Sequence, residues 1–230
     1  MGRDQAELTP QGGPTGKPTP QPTTQRLAAA EALRRLGHTI VAKEIDDATL
    51  ARIEGQARAA LDELDGAAPR VRNTLSMKRS LFSEQPPEGG NRTHFPDCIV
   101  TGPANPMGIA ADIHREGDEA VLRTTLGEAF EGAPGRAHGG VVAALFDEVL
   151  GFVLSIVQTP AYTGKLVVSY RAPTPLGVEL EFRGRLRSRH GRKLTMVGEA
   201  RRGDDLVAEA EGLFISVDPD HFSSGGSAGG

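Results

Sequence analysis

Residues 138–157 read HGGVVAALFDEVLGFVLSIV, and the fold turns on what this stretch can be. Gly139 to Val157 is the only long apolar run in the chain. Its length admits a transmembrane reading, but Asp147 and Glu148 fall at its middle. An acidic residue at bilayer depth costs roughly 2.5–3.5 kcal/mol. The run is therefore expected to be a buried helix and not a membrane span.

The flanking segments alternate. Val178, Leu180, Phe182, Gly184 and Leu186 interleave with Glu179, Glu181, Arg183, Arg185 and Arg187, which predicts a strand with one apolar and one charged face. Leu194, Met196 and Gly198 repeat the pattern after the turn His190-Gly191-Arg192. Leu206 to Val217 forms a last strand, whose apolar phase slips near Gly212 and predicts a bulge there. Upstream, residues 107–127 predict two extended segments meeting at Glu116-Gly117-Asp118. An antiparallel sheet with one charged face must bury the other, and a helix apolar on all sides is the natural object to wrap. The expected class is α+β, a curved antiparallel sheet around one long central helix.

The chain has 230 residues, enough for one domain with extensions. A net charge of −4 and 4% aromatic residues with no Trp argue against a nucleic-acid partner. The single Cys98 excludes an internal disulfide and a cysteine-cluster zinc site, and fits a reducing, cytoplasmic compartment. Residues 1–25 hold five Pro and four Gly and no signal-peptide core, so they are expected to be a disordered tail. Residues 26–93 read as a helical extension with a connecting loop, and 221–230 as a flexible Gly/Ser tail. Within the extension, RLAAAEALRRLGH (26–38) is rich in helix formers with Gly37 as its stop. A second helix aligns Leu50, Ile53, Ala57, Ala60, Leu61 and Leu64 on one face, capped by Asp46 or Asp47. These helices are expected to pack on the core or a partner subunit, with a lid over the site as the alternative.

Two features of the central run carry chemistry. Asp147 sits two turns into an otherwise apolar helix, where a carboxylate is costly without a partner. Burial there would raise its pKa and make it a better base. Its neighbour Glu148 points about 100° away around the helix and is expected to be solvated or to touch a subunit. His138, Gly139 and Gly140 open the helix, where backbone N–H groups lack intrahelical acceptors and the dipole is positive. Glycines let a carbonyl approach those amides, the geometry of a backbone oxyanion hole.

These residues resemble a known family. FEGAPGRAHGGVVAALFDEVLG (130–151) resembles the signature of hotdog-fold acyl-CoA thioesterases, more narrowly the phenylacetate-pathway thioesterases and the mitochondrial thioesterase superfamily members. The similarity extends through TGKLVVSYRAPTPLG (163–177), HGRK (190–193) and AEAEGLFISVDP (208–219), and covers about residues 94–220, the expected hotdog domain. The resemblance implies Asp147 as general base or nucleophile, with the Gly139 amide polarising the thioester carbonyl and His138 beside it. It implies Thr163 as the hydroxyl holding water or the carboxylate. Gly140, Ser169, Arg171, Arg192 and Lys193 match positions contacting substrate or CoA. It further implies a homodimer or homotetramer, formed by extending the sheet, with each site between two subunits, and no cofactor. Many relatives carry Asn or Gln six residues before the His; here that residue is Gly132.

Other chemistries find little support in the sequence. Cys98 lies in a loop with no base evident beside it and reads as an incidental thiol. His94, His114 and His190 lack metal-ligand spacing, and GxGxxG, P-loop and GxSxG patterns are missing. The leading expectation is an acyl-CoA thioesterase. The competing ones are a non-enzymatic acyl-CoA sensor or scaffold, and an enoyl-CoA hydratase.

Overall fold

A computed structural model describes residues 21–70, 81–82, 84–90 and 95–217. The tail expected over 1–25 therefore falls mostly outside the described residues, as does the one expected over 221–230.

Helix α1 spans Thr24–Ala42 and α2 spans Asp47–Leu64. The Thr23 hydroxyl accepts from the Arg26 amide at 3.2 Å to cap α1, and Asp46 accepts from the Thr49 amide at 2.9 Å to cap α2. Gly37 does not stop α1. A glycine inside an exposed helix costs about 1 kcal/mol, too little to end a helix whose flanking turns are sound. α1 packs through Ala30, whereas α2 buries none of its residues.

Strands β1 (Asp112–Glu116), β2 (Glu119–Thr125), β3 (Ala161–Tyr170), β4 (Glu179–His190), β5 (Lys193–Arg202) and β6 (Asp205–Ser216) form one sheet in the order β1-β2-β4-β5-β6-β3. Every neighbouring pair is antiparallel. The tight turns at Gly117, Gly191 and Gly203 have φ of +58°, +56° and +56°, a region other L-residues rarely adopt. The central helix, α3 (Gly139–Ile156), lies in the concave face of the sheet. It is long and apolar enough to cross a membrane by length and composition. Here Val142, Leu145, Phe146, Val149, Leu150 and Val153 are buried, and the Phe146 ring meets Phe182 edge-on at 5.1 Å. The expected fold class is thus observed.

The predicted bulge at Gly212 is absent. From Ala208 onward β6 alternates, with Ala208, Ala210, Gly212 and Phe214 facing inward, and its irregularity falls at Val207 instead. The apparent slip arose because Gly212 holds an inward position with no side chain. A Cβ there would lie 2.7 Å from the Phe214 ring and 3.1 Å from Leu150. The register shifts fall instead at Thr163/Lys165, Leu186/Ser188 and Ala200/Arg201.

On the outer face the arginines are paired. Arg183 contacts Glu181 at 2.6 Å and Glu116 at 2.8 Å, and Arg123 contacts Glu181 at 2.8 Å. Burial by itself would raise the Glu181 carboxyl, but hydrogen bonds from Arg183 and Arg123 hold it below the usual range. Glu116 is lowered first by His114 and then by Arg183.

Two outcomes follow for stability. Gly184 faces Leu150, and a Cβ there would lie 3.0 Å from its Cδ2 and 3.3 Å from the Val149 carbonyl. A Gly184→Val variant should lose about 1–3 kcal/mol in denaturant unfolding. Because Glu181 and Glu116 are lowered in the folded state, their contribution is complete above the ordinary glutamate value of about 4.3 and is lost as pH falls through the folded values. The melting temperature should hold steady near neutral pH and decline below that value, less steeply in Arg183→Met.

Candidate active site

The loop entering α3 is folded tightly against its first residue. The Gly132 amide donates to the Arg136 carbonyl at 2.9 Å, and the Gly135 amide to Glu131 at 2.6 Å. At Gly132 a Cβ would lie 2.7 Å from the His138 Cα. The position where relatives carry Asn or Gln therefore has no room for a side chain in this loop. Ala137 donates to the Thr174 carbonyl and His138 to the Phe130 carbonyl, both at 2.9 Å, and these bonds fix where the helix begins.

His138 caps that helix. Its Nδ1 accepts from the Gly140 amide at 3.0 Å, and its carbonyl accepts from Val141 and Val142 at 2.9 and 3.2 Å. An accepting Nδ1 is unprotonated, so the ring proton sits on Nε2. The Gly140 amide is thereby consumed. The Gly139 amide has no acceptor among the described residues, and it stands at the positive end of the helix dipole. The Tyr170 hydroxyl donates to the Gly139 carbonyl at 2.7 Å. These groups line a cavity of about 710 Å³ together with Arg136 and Arg171. Arg171 is engaged by Glu209 at 2.6 Å, whereas Arg136 is exposed and has no ionic partner among the described residues.

Asp147 occupies a different place. It is exposed rather than buried, at the margin of α3 beside the edge strand β3. The helix is thus not apolar on all sides. The Thr163 hydroxyl, on β3, donates to Asp147 Oδ1 at 2.8 Å. Both residues line a second cavity of about 220 Å³ with Thr101, Glu148, Phe152 and Phe214. Glu148 is part-buried and held by two partners. It accepts from the Thr101 hydroxyl at 2.6 Å and from the Cys98 thiol at 3.4 Å. Cys98 therefore does have a base beside it, contrary to the sequence reading. Burial, and then the Glu148 charge, push its thiol pKa up, which disfavours the nucleophilic thiolate.

The two halves are far apart within one chain. Eight residues separate Gly139 from Asp147, about 12 Å along a helix axis at 1.5 Å per residue. Seven residues separate Thr163 from Tyr170 along β3, about 23 Å. Arg192 and Lys193 lie at the Thr163 end, since Lys193 pairs with Ile215 and Ile215 with Tyr162. Arg171 lies at the Tyr170 end, beside Ser169. Arg192 donates to the Ser216 carbonyl at 3.0 Å. No group of three or more metal-ligating side chains occurs among the described residues.

Sequence reasoning missed Tyr170 and Arg136. Both lie inside the segments that carry the family resemblance, but neither residue type announces its role; only the folding of the 131–138 loop onto the end of β3 brings them to the helix start.

Comparison with known proteins gives a consistent picture. Residues 134–209 match the thioesterase superfamily model. The chain is similar to the acyl-coenzyme A thioesterase THEM4 of Bos taurus, 34% identical over 122 residues, which is 51% of this chain and 50% of the relative. The THEM4 of Mus musculus is 34% identical over 92 residues, 39% of this chain and 40% of that protein. The chain therefore spans about half the length of the curated relatives it matches. A crystal structure of a thioesterase superfamily protein superposes with a TM-score of 0.69 at 29% identity, covering 86% of this chain and 97% of that one.

If Gly132 is needed for the loop to reach His138, then Gly132→Asn should not supply a water-holding side chain. It should cost about 1–3 kcal/mol of stability, visible as a lowered thermal midpoint.

Proposed function

We propose that this chain, a hotdog-fold member of the thioesterase superfamily, hydrolyses acyl-CoA thioesters to the free acid and CoA. The observation that carries the reading is the unclaimed Gly139 amide at the start of the same helix that presents Asp147 held by Thr163. The Gly139 N–H and the helix dipole stabilise the negative charge that develops on the thioester oxygen. Thr163 occupies Oδ1 of Asp147, leaving Oδ2 to take a proton from water. That water adds to the carbonyl carbon, the C–S bond breaks, and CoA leaves as a thiolate that is then protonated. Arg136, without an ionic partner among the described residues, and Arg171 offer positive charge to the CoA phosphates along the larger cavity.

A second copy completes the site in this reading. Gly139 and Asp147 stand about 12 Å apart along one helix axis and open onto different cavities, Gly139 onto the larger and Asp147 onto the smaller. β3 is an edge strand, and Tyr162, Val167 and Tyr170 are 46%, 45% and 52% exposed along it. Antiparallel pairing of two β3 strands about a two-fold axis between Leu166 and Val167 sets Thr163 opposite Tyr170 of the partner subunit. That brings Asp147 toward the helix start of the second copy, and it makes a homodimer the smallest active unit. A single unpaired thiol suits a cytoplasmic protein.

Free-thiol release over acetyl- to palmitoyl-CoA tests this. The native protein should turn over at least one member of the series. Asp147→Asn should lower kcat by about a hundredfold or more, with the protein still folded and dimeric. Unchanged turnover in that variant removes Asp147 from the mechanism, and a monomeric yet active native protein removes the shared site.

A further inference from the structure

α1 lies outside the segment that matches the superfamily model, yet it touches both loops that frame the chemistry. Arg34 donates through Nη1 to the Pro103 carbonyl at 2.9 Å and to the Asn105 carbonyl at 2.8 Å. Two residues before Pro103, Thr101 holds Glu148, the chain neighbour of Asp147. One helical turn further along α1, His38 meets the other loop. Residues four apart share a helix face, so both side chains leave α1 on the same side.

The His38 contact is specific. Its Nδ1 accepts from the Ala129 amide at 3.2 Å, and its ring meets the Phe130 ring edge-on with centroids 5.1 Å apart. Gly127 comes so close that a Cβ there would fall 2.5 Å from Nδ1. The Phe130 carbonyl then accepts from the His138 amide at 2.9 Å. His138 is the cap of α3 and the residue before Gly139. An unbroken series of short contacts therefore runs from α1 through residues 129–130 to the amide assigned to the thioester oxygen.

We propose that His38 is a positioning residue. By accepting from Ala129 it fixes the 127–138 loop and so aims the Gly139 amide, while Arg34 anchors α1 to the loop beside Asp147. The extension is thus part of the site's framework, a role that α2, which buries nothing, does not share. The kinetic part of this inference rests on the thioesterase reading; the structural part does not.

Two variants separate the acceptor from the ring. His38→Phe keeps the edge contact with Phe130 and removes the acceptor. His38→Asn carries Oδ1 at the same bond separation from Cα as Nδ1 and keeps it. Each is measured by hydrogen exchange over residues 127–138, by thermal midpoint, and by kcat and KM on the acyl-CoA that the native protein turns over fastest. In His38→Phe, exchange at Ala129 and His138 should accelerate and kcat should fall about tenfold with KM within about twofold of native, the pattern of a misaimed group rather than a lost binding contact. His38→Asn should restore both readouts. The inference is overturned if His38→Phe matches the native protein in exchange and kcat, or if His38→Asn is as impaired as His38→Phe. Should the native protein turn over no acyl-CoA, the thioesterase reading falls, and exchange at Ala129 and His138 alone decides the role of His38.

Discussion

The closeness of α3 to its sheet governs the rest of the molecule. Gly184, Gly198 and Gly212 lie on the inner faces of β4, β5 and β6, and Gly184 pairs with Gly198 across the ladder. An added Cβ at each would lie 3.0, 3.3 and 3.1 Å from Leu150. One leucine thus presses into a patch of sheet that has no side chains. The cost of those glycines is backbone entropy in three strands. The return is a helix seated deep enough for Phe146 and Phe182 to pack edge to face beneath it.

That seating has a chemical consequence. A helix gripped along one side has a fixed rotation, and that rotation turns Asp147 toward Thr163 on the edge strand. The same grip fixes the helix start against the end of β3, where Tyr170 reaches the Gly139 carbonyl. β3 therefore touches both chemical groups, one at each end. As one of the two edge strands of the sheet, it also presents an unpaired edge of the kind that can take up another strand. Edge position, shared strand and separated groups are the three observations on which the proposal of a two-chain site rests.

Much of this was legible beforehand because it depends on short-range pattern. Period-two alternation marked β4 and β5, and the mixed run at 138–157 marked the central helix with its acid. Gly37 and Gly212 misled for related reasons. The first suggested an end to α1 that its neighbouring turns override. The second suggested a bulge, when the missing side chain was answering a crowd of atoms contributed by Leu150 and Phe214. Glu148 misled differently: its partners, Thr101 and Cys98, lie 47 and 50 residues away in the chain, and no local pattern pairs them.

The sequence by itself determined which residues form the helix and strands, which faces are apolar, and that a carboxylate and a glycine-rich helix start share one element. Those properties follow from spacing along the backbone. Only the tertiary structure decided that Asp147 is exposed, that Gly140's amide is spent on His138 while Gly139's is not, and that α1 reaches both loops. The Asp147–Thr163 bond at 2.8 Å and the Ala129–His38 bond at 3.2 Å join separate elements whose approach is set by packing, and even the local Gly140–His138 bond needs the ring orientation that the folded loop imposes.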